Sequence, residues 1–235
     1  MNHLDLSKRL AAVGEFVPKG AFLADIGSDH AYLPVALMLK GKIEFAVAGE
    51  VVKGPYDSAK KQVQKNGLKE RIIVRLANGL DAIEATDQIT TITIAGMGGS
   101  LIRDILEAGT QNKRLTGNER LILQPNIGEQ TLRIWLQENQ YEIIAEQILE
   151  ENKKIYEIIV AEKTKKMRMY NEKEIMFGPI LLQEKTEIFK SKWQRELKQR
   201  KRIVNQLSKA TNQQERMEII KQEIQWIEEA LNEWQ

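Results

Sequence analysis

The chain has 235 residues, 42% of them hydrophobic, and a formal net charge of +2 at pH 7. This is enough apolar sequence to bury a core, so a wholly disordered chain is excluded. The absence of cysteine, and the presence of only His3 and His30 as histidines, exclude disulfides, cysteine nucleophiles and cysteine- or histidine-based metal clusters.

The N-terminal sequence MNHLDLSKRL lacks the basic and then apolar layout of a signal peptide. No run of about 18 apolar residues, the length that a membrane helix needs, occurs in the sequence. We therefore expect a cytoplasmic protein with no membrane partner and no metal, and we expect it to be a monomer.

Residues 1–163 alternate short apolar runs with segments of helical spacing, after a short amphipathic helix predicted over residues 5–16. The predicted strands cover residues 21–26, 45–49, 72–76, 89–95, 121–124, 142–149 and 155–161, and the helices between them cover residues 32–39, 56–66, 100–109 and 129–138. Asn152-Lys153 joins the last two strands without a helix, which indicates a hairpin. The order predicts an α/β fold, a Rossmann-like class I methyltransferase domain, with another doubly wound domain as the alternative.

Residues 164–235 have a different character and are predicted to form a C-terminal helical coiled-coil domain. Apolar residues recur there at intervals of three and four from Leu182 to Trp234, and Asn212 is placed to cap a second helix. Between Lys190 and Arg202, seven basic residues face one acid, Glu196. Such a stretch is either a solvated helix face or a surface that binds phosphates.

The sharpest local motif runs from Asp25 to Pro34, where the first strand turns into the next helix. In an α/β sheet this turn is a ligand site, and Gly27 would let the backbone approach the ligand closely. A dinucleotide site requires G-x-G-x-x-G, but here Asp29 occupies the second glycine position and would repel a pyrophosphate. Asp25 and Asp29 instead favour S-adenosylmethionine, which carries an ammonium and a sulfonium and no phosphate.

Polar residues also follow the next two strands. Glu50 ends the second strand, where a carboxylate can accept hydrogen bonds from vicinal ribose hydroxyls. Asn78-Gly79 follows the third strand, where a polar side chain can meet the edge of an adenine. Each has a purely structural alternative as a turn or a helix cap, but their order at successive strand ends supports a cofactor site.

The fourth strand ends in Gly96-Met97-Gly98-Gly99, which we expect to leave open backbone beside the methyl group. The Asn/Asp-Pro-Pro-Tyr/Phe motif of many enzymes that methylate exocyclic amines is absent there. The fifth strand ends in Gln124-Pro125-Asn126, whose amides are candidates to read a base edge. Met97 as a core residue is the structural alternative.

Together the Asp25–Pro34 string, the Asn78-Gly79 turn, the glycine run and Leu123–Asn126 closely resemble the bacterial TrmK family. The resemblance implies an S-adenosylmethionine-dependent enzyme that methylates N1 of adenine at position 22 of tRNA. It extends into the tail, where Phe177-Gly178-Pro179 precedes the predicted coiled coil. The expected domains are therefore a catalytic domain over residues 1–163 and a helical domain that contacts tRNA over residues 164–235.

Within this framework the candidate catalytic residues are Asp29, His30, Tyr32 and Asn126. Tyr32 could stack on the base, and His30 could instead order its loop. The candidate cofactor-binding residues are Arg9, Asp25, Gly27, Asp29, Glu50, Asn78, Gly79, Gly96 and Met97. Arg9 could reach either the donor carboxylate or an RNA phosphate. Two other hypotheses remain open, a non-catalytic RNA-binding scaffold and an NAD-dependent oxidoreductase, and Asp29 argues against the latter.

Overall fold

The computed structural model describes residues 3–166, 168–208 and 213–232, and it divides into two compact units, Met1–Tyr170 and Asn171–Gln235. The first unit extends beyond residue 163, because Tyr170 forms hydrogen bonds with residues of that unit. The Tyr170 hydroxyl accepts a hydrogen bond of 2.9 Å from the N–H of Ile143, and the Tyr170 N–H donates to Gln137 Oε1 at 2.6 Å.

The first unit is built on a seven-stranded sheet with the order β3-β2-β1-β4-β5-β7-β6. The strands are β1 Ala21–Ile26, β2 Ile43–Glu50, β3 Ile72–Leu76, β4 Thr91–Gly98, β5 Arg120–Ile127, β6 Tyr141–Glu151 and β7 Lys154–Lys163. The pairings among β1 to β5 are parallel, and β7 is antiparallel to both β5 and β6. The predicted architecture, a parallel sheet closed by a hairpin, is therefore confirmed.

The hairpin turn has a local cause. Asn152 and Lys153 have φ values of 51° and 64°, and positive φ at both central residues is the requirement of a type I′ turn. Such a turn matches the right-handed twist of the strands that it joins. The central strands β1 and β4 are apolar and buried because helices cover both faces of a parallel sheet.

The helices of this unit are α1 Lys8–Glu15, α2 Tyr32–Leu39, α3 Lys53–Lys65, α4 Gly99–Gln111 and α5 Glu129–Glu138. Two short 3₁₀ turns, Gly79–Ala82 and Ala85–Asp87, connect β3 to β4 in place of a helix. The first turn of α1 is capped twice: Ser7 Oγ accepts from the Leu10 N–H at 3.2 Å, and the Glu151 carboxylate accepts from the Lys8 N–H at 2.5 Å. That carboxylate fixes α1 to the end of β6.

The second unit contains α6 Glu172–Phe177, α7 Leu181–Glu184, α8 Glu187–Leu207 and α9 Gln214–Asn232. Phe177, Phe189 and Trp193 form a buried aromatic cluster. Helices α8 and α9 pack against each other, and ion pairs of Arg200 with Glu223 and of Lys201 with Glu228 join them. The predicted cap at Asn212 and the seam position Trp234 lie outside the described residues.

No helix in the described part of the chain combines the length and the apolar character needed to cross a membrane. Within the same residues, no three histidine, cysteine, aspartate or glutamate side chains are grouped so that they could hold a metal ion.

Candidate active site

The candidate site lies at the carboxyl edge of the sheet in the first unit. In the sheet, β2 and β3 lie on one side of β1, and β4 and β5 lie on the other side. The strand order therefore reverses between β1 and β4. In open α/β sheets, ligands bind outside the carboxyl ends of the strands at this reversal. The sequence-predicted residues after β1, β2, β4 and β5 all belong to this edge.

The loop after β1 has an unusual backbone. Gly27 has a φ of 69°, and Asp29, His30 and Ala31 follow with φ values of 43°, 68° and 56°. Non-glycine residues in the left-handed region are strained, and such residues cluster at functional sites. The N–H groups of Gly27 and Ser28 donate to the Gly49 carbonyl at 2.9 and 3.2 Å, which anchors the loop to β2.

Asp25, at the end of β1, is buried, and both of its carboxylate oxygens accept hydrogen bonds. Ser28 Oγ donates to Asp25 Oδ2 at 2.5 Å, and Thr93 Oγ1 donates to Asp25 Oδ1 at 2.6 Å. Burial raises the pKa of Asp25, and these two hydrogen bonds oppose the shift. In this arrangement Asp25 orders the loop through Ser28.

Glu50, at the end of β2, is buried but only half satisfied. Its carboxylate accepts a hydrogen bond from the backbone N–H of Asp29, whereas Oε1 has no hydrogen-bond partner among the described residues. Burial raises the pKa of Glu50, and the nearby carboxylates Asp25 and Asp29 raise it further, although the Asp29 N–H opposes the shift. A buried oxygen without a donor is costly, so this site is suited to a ligand that brings hydroxyl donors.

Met97 lies over the Gly27 turn. The positive φ of Gly27 favours glycine there, and a Cβ placed on it would overlap with Met97 Cε, so the end of the Met97 side chain would have to move. Met97 is half-buried, consistent with a side chain that packs on the loop and still borders the site.

Gly96 is held through both of its peptide groups by side chains of β5. Its N–H donates to Gln124 Oε1 at 3.0 Å, and its carbonyl accepts from Asn126 Nδ2 at 2.7 Å. Gly96 has a φ of 80°, so this clamp stabilises a conformation that other residues rarely adopt. The structure thus brings Gly96 and Asn126 together, as neighbours on adjacent strands.

Gln124 cannot read a base edge, contrary to the sequence-based expectation. Its side chain is completely buried, Oε1 accepts from Gly96 and from Arg9, and Nε2 donates to the Pro125 carbonyl at 2.7 Å. Gln124 therefore holds Gly96 from the protein interior and is not exposed to a ligand.

Arg9 reaches this clamp from α1. Its guanidinium donates to Gln124 Oε1 and lies over the Tyr156 ring, 5.5 Å from the centroid. The Arg9 N–H also approaches Glu151 Oε2 at 3.4 Å, so the hairpin orients the first turn that carries Arg9. A guanidinium has five N–H donors, and these contacts leave others for a ligand.

The glycine run is less open than the sequence suggested. The Arg9 guanidinium covers the side of Gly96 where a Cβ would point, and a Cβ on Gly99 would overlap with the Gly128 carbonyl oxygen. Of these three glycines, Gly98 is therefore the one with free room at its Cβ position.

Two aromatic rings lie on the β1 loop side of the edge. The rings of His30 and Tyr32 are stacked, with centroids 5.2 Å apart and an interplanar angle of 21°. His30 Nε2 lies 3.5 Å from Asp29 Oδ1, and the Asp29 side chain is 69% exposed. Tyr32 therefore stacks on His30, and its stacking on a base stays a prediction.

Asn78 and Gly79 lie after β3, where Asn78 is exposed at the rim of a groove bordered by Leu101, Ile105 and Asn112. Gly79 has a φ of 52°, and a Cβ there would lie 3.1 Å from Ile105 Cγ2. The turn therefore needs glycine at position 79 in order to pack against α4.

Sequence reasoning missed four supporting residues: Ser28, Thr93, Glu151 and Tyr156. Thr93 carried a signal, because a hydroxyl in the middle of a buried apolar strand needs a partner. No sequence pattern pointed to Glu151 or Tyr156, since their contacts with α1 join segments more than 140 residues apart in the sequence.

A Rossmann-like sheet closed by a hairpin, with acids at the ends of β1 and β2, defines a class I methyltransferase. The family model of TrmK, tRNA (adenine(22)-N(1))-methyltransferase, matches residues 23–229. The chain is 46% identical over 226 residues to the Bacillus subtilis tRNA (adenine(22)-N(1))-methyltransferase, covering 94% of each chain.

Two solved structures are similar over almost the whole chain. A Streptococcus agalactiae protein of the NADB-Rossmann superfamily is 48% identical, with a TM-score of 0.90 and coverage of 98% of this chain and 99% of that one. A Streptococcus pneumoniae protein in complex with S-adenosyl-L-methionine is 49% identical, with a TM-score of 0.88 and coverage of 97% and 100%.

The chain belongs to the TrmK family of tRNA (adenine(22)-N(1))-methyltransferases. The family and the class of enzyme predicted from the sequence are confirmed. This membership favours methyl transfer over the two alternative hypotheses, a non-catalytic scaffold and an NAD-dependent oxidoreductase.

Proposed function

We propose that this protein transfers the methyl group of S-adenosyl-L-methionine to N1 of adenine 22 in tRNA. The observation that carries the proposal is the buried, unpartnered Oε1 of Glu50 at the carboxyl edge of a class I methyltransferase sheet. We further propose that the protein acts in the cytoplasm as a monomer.

The residues of the edge fit this methyl donor. Glu50 Oε1 needs a donor that the described residues do not provide, and the ribose hydroxyls of the cofactor are such donors. Asp29, exposed beside Glu50, disfavours a phosphate and favours a cation. Gly27 and Met97 shape the turn that the cofactor would cross, and Asn78 and Gly79 would border its adenine.

The remaining cofactor candidates are assigned by their place along the edge. Arg9 and Gly96 lie at the β4 and β5 end, far along the strand order from Asn78 after β3. A cofactor with its ribose at Glu50 and its adenine toward β3 directs its amino-acid end toward β4. Arg9 would there meet the carboxylate of the donor, and Asp25 would act by holding Ser28.

When bound, the cofactor supplies a methyl group already activated by a positively charged sulfur. The protein therefore has to align the nucleophile, exclude water and stabilise the charge that develops on the base. Asp29, exposed on the strained loop, is the carboxylate placed to stabilise that charge or to accept an amino proton. His30 and Tyr32 hold the loop through their stacked rings, and Asn126 lies near the end of β5 on the same edge of the sheet.

Methylation at N1 also agrees with the backbone after β4. The Asn/Asp-Pro-Pro-Tyr/Phe motif that grips an exocyclic amine is absent, and Gly98 presents open space instead. An endocyclic nitrogen lies in the plane of the base and can approach such a backbone edge-on. A paired or stacked adenine would have to be exposed before transfer.

We propose that the second unit binds tRNA. Lys198 and Arg202 are exposed one helical turn apart on α8 and border a shallow groove with Gln199 and Gln206. Arg200 and Lys201, by contrast, form ion pairs with α9. The phosphate-binding surface on this helix is therefore assigned to Lys198 and Arg202.

The test is incubation of the purified protein with labelled S-adenosyl-L-methionine and bacterial tRNA, followed by nucleoside analysis. We expect 1-methyladenosine, and we expect it to disappear when adenine 22 is replaced by another base. Methyl on the exocyclic amine, on guanine or on a pyrimidine would contradict the proposed substrate while leaving the methyltransferase class intact.

A further inference from the structure

The amide of Asn126 has one orientation, and its neighbour dictates it. The group beside it is the Gly96 carbonyl, which can only accept, so the Asn126 nitrogen must face it, at 2.7 Å. Asn126 Oδ1 then points the other way. Asn126 is exposed, and Oδ1 has no hydrogen-bond donor among the described residues.

The carbonyl that fixes Asn126 is itself fixed. Gln124, completely buried, accepts from the Gly96 N–H, and Arg9 donates to the same Gln124 oxygen. Gly96 therefore cannot rotate its peptide groups without breaking its hydrogen bonds to Gln124 and Asn126 of β5. Asn126 Oδ1 is a preorganised acceptor, and such groups cost little reorganisation when a partner arrives.

The acceptor lies at the end of the edge where the methyl group is expected. The strand order places β1 and β4 between Glu50 on β2 and Asn126 on β5. Ile127, which is 73% exposed, follows Asn126 in the sequence. Gly98, which has open space at its Cβ position, pairs with Ile127 from the neighbouring strand β4.

An acceptor in this place distinguishes the purines. Adenine has a donor, the exocyclic amine, next to N1, whereas guanine has an acceptor, O6, in the same position. We propose that Asn126 is a specificity-determining residue whose Oδ1 accepts a hydrogen bond from the exocyclic amine of the target adenine. This inference rests on the proposed function. Methylation of N1 makes the base cationic, so the hydrogen bond strengthens as the reaction proceeds.

The test compares tRNA that carries adenine at position 22 with tRNA that carries purine there, which lacks only the amine. The ratio of kcat/KM for the two substrates is measured in the wild type and in Asn126→Ala. The lower basicity of purine affects both proteins equally and cancels in the comparison. We expect Asn126→Ala to reduce the preference for adenine roughly three- to tenfold, the range of one neutral hydrogen bond.

Two further variants separate recognition from support. Gln124→Leu loosens Gly96 and with it the orientation of Asn126, but it leaves the Asn126 amide in place, so it should slow both substrates and reduce the preference for adenine less than Asn126→Ala does. Asn126→Asp keeps an acceptor but loses the donor to Gly96, so it should be slower on both substrates and keep the preference for adenine. Thermal unfolding and donor titration check that each variant is folded.

An unchanged preference for adenine in Asn126→Ala would overturn the inference, as would a loss of preference in Gln124→Leu that exceeds the loss in Asn126→Ala. Either result leaves the proposed function intact if the wild type methylates the adenine tRNA. A folded wild type that methylates neither tRNA overturns the proposed function, and the inference with it.

Discussion

The Met97 side chain occupies the space that a Cβ on Gly27 would need. This contact joins the end of β4 to the loop after β1, two segments that both border the proposed cofactor.

We expect Gly27→Ala to weaken both folding and donor binding, because alanine meets Met97 and must also adopt a φ of 69°. The left-handed conformation alone costs about 1–2 kcal/mol for a residue with a Cβ. Gly20 is the matched control, since its φ is 78° and nothing lies within 4 Å of its Cβ position. Thermal unfolding and donor titration of both variants should show the larger loss for Gly27→Ala. Equal losses would mean that Met97 simply moves aside.

Glu50→Ala should weaken donor binding by more than tenfold. The variant removes a charged acceptor for two ribose hydroxyls, which corresponds to roughly 1.5–3 kcal/mol. Isothermal titration with S-adenosyl-L-methionine measures the effect, and circular dichroism checks the fold. Glu44→Ala is the control on the same strand, because Glu44 is exposed and pairs with Arg71. Binding as tight as in the wild type would exclude Glu50 from the cofactor site.

Donor binding should also depend on the ionisation of Glu50. Burial raises the pKa of this carboxyl, so it takes up a proton at a higher pH than an exposed glutamate does. A protonated carboxyl is a poorer acceptor, and affinity should therefore fall as the pH is lowered through the raised pKa. Titration of donor binding from pH 8 to 5 should show this step in the wild type and not in Glu50→Gln.

The raised pKa of Glu50 has the opposite effect on the stability of the ligand-free protein, which should fall as the pH rises. An acid whose pKa is raised on folding contributes its full stability below its unfolded pKa and loses it as the pH rises through the folded value. Glu50→Gln should therefore unfold at a higher temperature than the wild type at neutral pH, with the difference shrinking in acid. A lower unfolding temperature at neutral pH would contradict this assignment.

Replacing Lys198 and Arg202 by glutamate should weaken tRNA binding and reduce the slope of log K against log salt by about 1 to 2, since each phosphate contact contributes about 0.9. Donor affinity should not change. Lys19→Glu/Lys40→Glu, an equal change of charge at exposed residues near the amino edge of the sheet, serves as the control. A salt slope that is unchanged, or changed equally by the control, would make this part of α8 an ordinary solvated face.

Asp29→Asn should lower kcat on tRNA by roughly tenfold or more, with a smaller effect on tRNA affinity, because the carboxylate acts on charge that develops during transfer. Single-turnover rates and filter binding separate the two quantities. Asn keeps the backbone N–H beside Glu50 but loses the negative charge, so donor affinity should fall less than it does in Glu50→Ala. A variant that turns over normally would remove Asp29 from the catalytic residues.

The sequence predicted the sheet well because the parallel strands of the first unit are largely apolar, and each has a helix or a turn after it. β1 and β3 have the predicted bounds, and the Asn152-Lys153 hairpin lies where it was expected. The 3₁₀ turns after β3 and the short helices α6 and α7 were not predicted. They are too short to produce a periodic pattern of apolar residues.

The contacts of the site were less accessible to sequence reasoning. Position at a strand end identified Asp25, Glu50 and Asn126, because parallel strands share one carboxyl edge. It could not show that Gln124 is buried beneath Gly96 or that Arg9 covers that glycine, since Gln124 lies 28 positions from Gly96 and 115 positions from Arg9 along the chain. Such contacts follow from packing, which spacing along the chain does not encode.

The loop from Gly27 to Ala31 holds three consecutive non-glycine residues, Asp29 to Ala31, in the left-handed region, and the N–H groups of Gly27 and Ser28 donate to the Gly49 carbonyl. An isolated peptide of this sequence would seldom adopt that shape. The tertiary structure therefore imposes the loop conformation during folding, before any ligand arrives. A donor that enters the site then has little backbone left to immobilise, and more of its contact energy appears as affinity. Mutations that relax this loop should stabilise the empty protein and slow methyl transfer together.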